Sequence, residues 1–487
     1  MNQIELPELK KIIFKNVGCK NKVEHLILEN TKANFTWIES NRSYGIIQVQ
    51  GINILISSNK NIENFEFDYI IHSSLKFNES NFSQGKTELK NWVKHPKLRN
   101  YSSREIISSW ENNFTFKEEN SATNSYGLRE PQIAALYSIL SHLKSKEDLI
   151  GTVVMPTGTG KTETMLSTLI ANKLDKIIVA VPSDALREQI YEKFIKLGLL
   201  KKFGIVNDDV LYPKVGIWHE NFKTLGELSN FIDSSDVIVT TMNVLTNNHA
   251  EILDEINEKV SNIFIDEAHH VEAETWKKVS NSFDKPKILQ FTATPFRNDR
   301  KRLDGKIIYN FSLKKAQEQG YFKPIQFKSI REYDLKKADQ LIAQQAVETL
   351  REDLSQGFDH ILMARCADKT RANEVFEYYK QFTDLNPILI YSGIPKKKEI
   401  LEAIVKKEHK IIVAVNMLGE GFDLPQLKIA AFHDIRKSLP ITLQFAGRFT
   451  RTSIDSTLGN ATFIANIAIA ETENELSELY AQDSDWN

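Results

Sequence analysis

At 487 residues the chain exceeds one ordinary core, and two or three domains are expected. A hydrophobic content of 41% beside 26% charged residues fits a soluble globular protein, not a disordered chain, and no window approaches the roughly 18 uninterrupted apolar residues of a membrane helix. The formal net charge of −2 and pI near 6.6 argue against a protein that coats nucleic acid nonspecifically, so any such site must be a local groove.

The first residues, MNQIELPELKK, lack the basic-then-apolar pattern of a secretory signal, and a cytoplasmic location is expected. Cys19 and Cys366 cannot supply a disulfide framework or the ligands of an iron–sulfur cluster. Residues 1–122 are rich in Asn and Ser and carry no nucleotide motif; they read as a small α+β accessory domain. Alternation in 45–50 and 52–56 predicts two strands around a turn at Gly51. Ser102 to Trp110 predicts a short helix capped by Ser102 or Ser103, and the polar run Lys117 to Ser125 reads as a linker. Glu88-Leu89-Lys90 with Asp68 upstream has the form of an acidic-x-Lys metal site for a nuclease; the plainer reading is a solvated charged face.

From residue 126 onward short apolar, β-branched runs alternate with helical stretches. Strands are expected at 153–154, 176–181, 237–241, 262–265 and 288–292, with a helix over 185–197. The texture restarts at 361–364 and continues through 388–391, 411–415, 429–432 and 462–464. Such strands, separated by helices, imply parallel sheets covered on both faces. The expected organisation is an accessory domain (1–122), a first α/β lobe (123–312), a hinge (313–328) and a second α/β lobe (329–487).

Three segments carry chemistry. In Met155-Pro156-Thr157-Gly158-Thr159-Gly160-Lys161-Thr162, glycines let backbone N–H groups close around a phosphate, Lys161 supplies a point charge and Thr162 a hydroxyl for Mg²⁺. Met155 stands where the strict pattern has Gly, but the preceding strand and the helix predicted over 163–172 supply the required context. Asp266-Glu267-Ala268-His269 ends a predicted strand, where Asp266 would hold Mg²⁺ through water and Glu267 would orient an attacking water. Without an HExxH pattern or a third ligand, His269 reads as a coupling residue and not a zinc ligand. In Gln444-Phe445-Ala446-Gly447-Arg448-Phe449-Thr450-Arg451, Arg448 and Arg451 share one face if helical and could neutralise a γ-phosphate, with Gln444 beside them.

Together with Thr292-Ala293-Thr294-Pro295-Phe296-Arg297 and Leu128-Arg129-Glu130-Pro131-Gln132, these segments resemble superfamily 2 helicases carrying a DEAH box. The branch is that of RadD-like, XPB-like and restriction-type motors. The resemblance covers about residues 126–465 and implies an ATP-dependent helicase or translocase with ATP and Mg²⁺. It implies nucleotide contacts from Arg129, Gln132 and the loop Thr157, Gly158, Thr159, Gly160, Lys161 and Thr162, and coupling by Thr292 and Thr294. Gly419-Glu420-Gly421-Phe422-Asp423 resembles the element of the second lobe that touches nucleotide and the arginine region, with Asp423 on the ribose or on an arginine, or simply capping a helix. Nucleic-acid backbone contacts fall by the same resemblance on Pro182, Arg187, Thr240, Thr241 and Arg365, although strand-end turns and helix caps use the same residue types.

DNA is favoured by resemblance alone, and RNA stays open beside it, because phosphate contacts carry no sequence information. A nucleic-acid-activated ATPase switch that controls a partner, for example a nuclease, is the alternative reading. Residues 443–451 also look like large antiphage helicases of the Hachiman type. Those are longer, so the chain reads as a short member or as part of a longer protein.

Overall fold

A computed structural model of the chain describes residues 2–16, 18–38, 41–49, 51–59, 67–73, 75–87, 89–93, 100–120, 122–145, 147–270, 273–295, 302–321, 325–415, 424–433 and 459–468. Two compact units make up the chain. Residues 1–130, 162–180 and 190–263 form the first, and residues 131–161, 181–189 and 264–487 form the second.

In the first unit a six-stranded sheet runs Asn2–Leu6, Thr31–Ile38, Asn41–Val49, Ile52–Ser57, Tyr69–Ser73, Leu89–Val93 from edge to edge. Its inward residues Leu6, Phe35, Ile47, Ile54, Ile56 and Ile71 close on Phe77. The hairpin expected around Gly51 is its centre, with Gly51 at φ +73, a value that suits glycine. Helix Ser103–Ser109 takes Ser102 as its cap: Ser102 Oγ accepts from Glu105 N, and the Glu105 carboxylate returns to Ser102 N at 2.9 Å. Trp110, which follows, is buried and donates Nε1–H to Leu211 O at 3.0 Å. The polar run 117–125 is held in place, because Glu119 N bonds Leu128 O at 2.9 Å and Lys117 Nζ bonds Phe203 O at 2.7 Å.

The nuclease reading finds no support in the register. Tyr69–Ser73 and Leu89–Val93 are antiparallel with Ser73 opposite Leu89, so Asp68 precedes one strand at the end far from Leu89. The Asp68 carboxylate instead accepts from Asn53 N at 2.8 Å. Glu88 lies outside the described residues. Among the described residues no group of three or more His, Cys, Asp or Glu could hold a metal ion.

The same unit holds a run of strands in the order Ile177–Val181, Val237–Thr241, Lys214–Trp218, Lys22–Leu28, Leu9–Lys15. The first three are parallel-sheet strands with every residue buried. The last two are an N-terminal hairpin that pairs antiparallel with Lys214–Trp218 and covers its edge. Thus part of the segment expected as an accessory domain extends the sheet of the region that follows it. Gly216 explains why Lys214–Trp218 escapes the apolar pattern: a Cβ there would lie 2.7 Å from the ring of Phe231 and 2.7 Å from Ser235 Oγ.

In the second unit the strands Lys306–Asn310, Gly151–Val154, Ile288–Thr292 and Asn262–Asp266 run in that order, the first three in parallel register. A six-stranded sheet follows, ordered Ile325–Ile330, Ala461–Asn466, Leu427–Phe432, Ile361–Cys366, Ile411–Val415, Ile388–Ile390, with every pair parallel. Successive residues point to opposite faces: Ile361 and Met363 pack with Ile404 on one side, Leu362, Ala364 and Cys366 with Ile342, Leu350 and Val375 on the other. Burial on both faces is why these strands read as unbroken apolar runs. The segment 313–328 contains helix Leu313–Glu318 and the start of Ile325–Ile330.

Helices Leu335–Ser355 and Lys369–Tyr379 cover one face and meet a polar chain at its end. Arg371 Nη2 lies 2.6 and 2.8 Å from the two oxygens of buried Asp339, and His433 Nδ1 lies 2.8 Å from Asp339 Oδ1. Because the carboxylate only accepts, Nδ1 carries the ring proton and Nε2 accepts from Tyr379 Oη at 2.9 Å. Burial raises the Asp339 pKa, but the hydrogen bonds from His433 and Arg371 outweigh it and hold the carboxyl below its ordinary value. Replacing Asp339 by Ala strands a cation and an imidazole, and a loss of about 3 kcal/mol is expected for breaking such a buried pair. Its stabilisation is present above the unfolded carboxylate pKa and is lost as pH falls through the depressed folded value. The unfolding midpoint of Asp339→Ala should therefore lie well below wild type at neutral pH, with the gap narrowing in acid; equal midpoints at neutral pH would contradict this network.

Candidate functional site

Buried strand Gly151–Val154 delivers the chain into the loop 155–160, and helix Lys161–Ala171 leaves it. Met155, at the position where the strict pattern has Gly, turns its side chain into the core while its amide bonds Thr292 O at 2.9 Å. Gly158 and Gly160 have φ of +95 and +96. At φ +96 any other residue at Gly160 would be strained, and a Cβ there would stand 2.0 Å from Gln132 Nε2. Gln132 in turn donates to Gly160 O at 3.2 Å, and Thr159 Oγ1 donates to Pro156 O at 2.7 Å. The loop is thus fixed by its own backbone and by helix Glu130–Lys144 behind it.

Lys161 is buried, with Nζ 3.0 Å from Glu267 Oε1 and 3.5 Å from Met155 O. Glu267 and Asp266 stand where strand Asn262–Asp266 ends, and Asp266 Oδ1 accepts from Glu267 N at 3.0 Å. Glu267 has φ +49, a left-handed conformation that costs a non-glycine residue about 1 kcal/mol or more and is characteristic of functional sites. His269 is fully buried, its Nδ1 2.9 Å from Thr292 Oγ1 and 3.6 Å from Glu267 Oε2. Thr292 Oγ1 donates to Thr294 O at 2.7 Å and accepts from Thr294 N at 3.3 Å, so the His269 proton sits on Nδ1 and points at the hydroxyl. His269, Thr292 and Thr294 form one connected polar chain, with Glu267 Oε2 3.6 Å from its imidazole end.

This set fits a bound polyphosphate on structural grounds. Thr157 Oγ1 is buried with no hydrogen-bond partner among the described residues, a glycine cradle surrounds it, and a buried cation and a helix N-terminus close it. Thr162 is the second residue of the helix, and Asp266, at the strand end, is a side chain that could hold Mg²⁺.

Other expected site residues are placed differently. Arg129 has Nε 3.9 Å from Glu119 Oε2 and remains partly exposed. Pro182 is half-buried at a strand end, but Arg187 is only 4% exposed with Nη1 2.9 Å from Asp184 Oδ1. Thr240 is buried and donates to Trp218 O at 3.1 Å; Thr241 caps helix Met242–Thr246, its Oγ1 accepting from Val244 N at 3.3 Å. Arg365 is 4% exposed. In this conformation the protein itself uses the side chains of Arg187, Thr240 and Thr241. Gly421, Asp423, Gln444, Arg448 and Arg451 lie outside the described residues. Sequence reading missed the pairing of Lys161 with Glu267 and the packing of Gln132 against Gly160; neither leaves a trace in spacing, because each depends on how distant segments meet.

A glycine-cradled loop, a buried lysine and a carboxylate at a parallel strand end define the site of a P-loop nucleotide-binding protein. Residues 125–297 match the family model described as type III restriction enzyme, res subunit, and residues 345–453 match that of the helicase conserved C-terminal domain. The chain therefore carries two tandem RecA-like domains, over the stretches that those two models match. It is 24% identical over 340 residues to "Putative helicase 22" of Sulfolobus islandicus filamentous virus (isolate Iceland/Hveragerdi), covering 62% of this chain and 58% of the relative. The chain thus spans less than two thirds of the length of that relative. Among solved structures, the fragment of a "putative HsdR subunit of a type I restriction enzyme" from Vibrio vulnificus YJ016 has a similar fold, with a TM-score of 0.52, 16% identity, and coverage of 98% of this chain and 90% of that one. The DNA-bound ATP-dependent Type ISP restriction-modification enzyme LlaBIII is similar at a TM-score of 0.49 and 16% identity, over 89% of this chain and 35% of that one.

Thr292→Val tests the polar chain. It leaves the His269 Nδ1–H and the Thr294 N–H facing a methyl group, and a loss of about 1–3 kcal/mol is expected for orphaned buried donors. Calorimetry should record a lower unfolding temperature; an unchanged one would contradict the hydrogen-bond assignment.

Proposed function

We propose that the chain is an ATP-dependent helicase or translocase acting on nucleic acid, with DNA as the preferred substrate. The observation that carries the reading is the buried pair of Lys161 and Glu267 beside the orphaned Thr157 hydroxyl in a glycine cradle. A triphosphate offers Lys161 a stronger anionic partner, so Lys161 moves to the phosphates and frees Glu267 to orient the attacking water and take its proton. Thr162 and Asp266 would hold Mg²⁺, which when bound would offset negative charge on the phosphates. His269 and Thr292 then pass the change in Glu267 to Thr294. Arg129 and Gln132 border the base side, and Asp423 and Gly421 belong to the second lobe's approach.

Arg448, with Arg451 and Gln444, supplies the cationic contact to the γ-phosphoryl group from the second lobe. The lobes are residues 123–312 and 329–487, joined by 313–328, and their opening and closing converts turnover into movement. The contacts at Pro182, Arg187, Thr240, Thr241 and Arg365 grip phosphates once side chains or backbone amides at those strand ends become available. A role in antiphage defence rests on the likeness to Hachiman-type helicases; a gene neighbourhood with a nuclease supports it, and one of repair genes contradicts it.

ATP turnover measured in parallel without nucleic acid and with single-stranded DNA, duplex DNA or RNA tests the reading. Stimulation by DNA is expected. Lys161→Ala and Arg448→Ala should each lower turnover by about 10³-fold or more. Wild-type turnover in either variant would remove that residue from the site. DNA-stimulated turnover without strand displacement would favour a switch acting on a partner over an unwinding enzyme.

A further inference from the structure

Helix Leu335–Ser355 carries Asp339 near its start and Asp353 near its end, and each carboxylate holds a buried histidine of the second sheet. His360 stands just before strand Ile361–Cys366, its Nδ1 2.7 Å from Asp353 Oδ2. His433 stands just after strand Leu427–Phe432, its Nδ1 2.8 Å from Asp339 Oδ1. The two strands are parallel neighbours. One pair therefore lies at the amino end of the sheet and the other at the carboxyl end, where ligands of such sheets bind.

The two pairs are built differently. His360 Nε2 is buried with no hydrogen-bond partner among the described residues, and its ring stacks on Phe358 with 5.0 Å between centroids. Around His433 both ring nitrogens are engaged, Nδ1 by Asp339 and Nε2 by Tyr379 Oη at 2.9 Å, and its backbone N–H donates to Arg365 O at 3.1 Å. Asp339 is fixed in turn by Arg371, and Asp339 and Tyr379 are both buried.

A buried charge network adds little net stability once desolvation is counted, but fully satisfied it rigidifies the groups it joins. Here those groups are the carboxyl ends of two adjoining strands. Arg365 closes one of them, and from the other the chain runs on to Gln444, Arg448 and Arg451.

We propose that His433, held by Asp339 and Tyr379, is a positioning residue for ATP hydrolysis: it fixes the strand end from which the arginine run departs. The proposal rests on the reading above, in which Arg448 reaches the γ-phosphoryl group. Nucleotide in the ground state is bound by the loop 155–161, which His433 does not touch. Loosening His433 therefore misaligns the transition state and leaves nucleotide binding unchanged.

The test is steady-state ATP turnover by the full chain with DNA, comparing His433→Phe with the matched substitution His360→Phe. Each keeps an aromatic ring and deletes the hydrogen bonds of the histidine, so both lower the unfolding temperature. His433→Phe should lower kcat about tenfold or more, with KM for ATP within about twofold of wild type. His360→Phe should keep both constants at the wild-type level. If circular dichroism shows that His433→Phe fails to fold, Tyr379→Phe, which removes only the donor to Nε2, carries the same test with a fall in kcat. Wild-type kcat in a folded variant, a rise in KM that accounts for the whole loss, or an equal loss in His360→Phe would overturn the proposal while leaving the motor reading intact. A wild-type chain without ATP turnover would overturn the motor reading itself.

Discussion

The ion pair between Lys161 and Glu267 is the interaction on which the candidate site depends. Both side chains are largely removed from water, and a buried pair contributes little net stability once desolvation is counted. Its persistence makes sense as preparation for chemistry. The lysine is held at the mouth of the glycine loop and the carboxylate at the end of its strand, 3.0 Å apart, with neither needing to be brought from solvent. Glu267 is placed there by a left-handed backbone, and the neighbouring strand end is tied together by the chain from His269 through Thr292 to Thr294.

That placement follows from parallel sheets. Strands buried on both faces must be apolar along their length, so polar and charged groups collect where the strands stop. Met155 to Lys161, Asp266 to His269 and Thr292 to Thr294 all follow strand ends in one unit. The second sheet repeats the arrangement, with Arg365 and Cys366 closing one strand and His433 following another. There the polar groups are turned inward, and the Arg371–Asp339–His433–Tyr379 chain locks two helices to a strand end.

Much of this was legible in the chain itself. The apolar strands were readable because full burial leaves no polar face, and the loop 155–162 because a phosphate cradle admits few residue types. The register of the N-terminal hairpin was not readable: Leu9–Lys15 alternates weakly, and its partner, Lys214–Trp218, lies far away in sequence. Nor could sequence tell that Arg187, Thr240 and Thr241 would engage their side chains within the protein, since a cap or an ion pair uses the same residues as a phosphate contact. The Asp68 and Glu88-Leu89-Lys90 pattern was misleading for the opposite reason, because strand pairing carries Asp68 to the end of strand Leu89–Val93 far from Leu89.

The central claim is that Glu267 is the group released when Lys161 turns to a triphosphate. The most direct measurement is ATP binding and ATP hydrolysis by Glu267→Gln, made side by side. Nucleotide should bind at least as tightly as to the wild type, because no carboxylate competes for Lys161, while DNA-stimulated hydrolysis falls by about 10²-fold or more. Hydrolysis at the wild-type rate, or binding lost together with hydrolysis, would contradict the account.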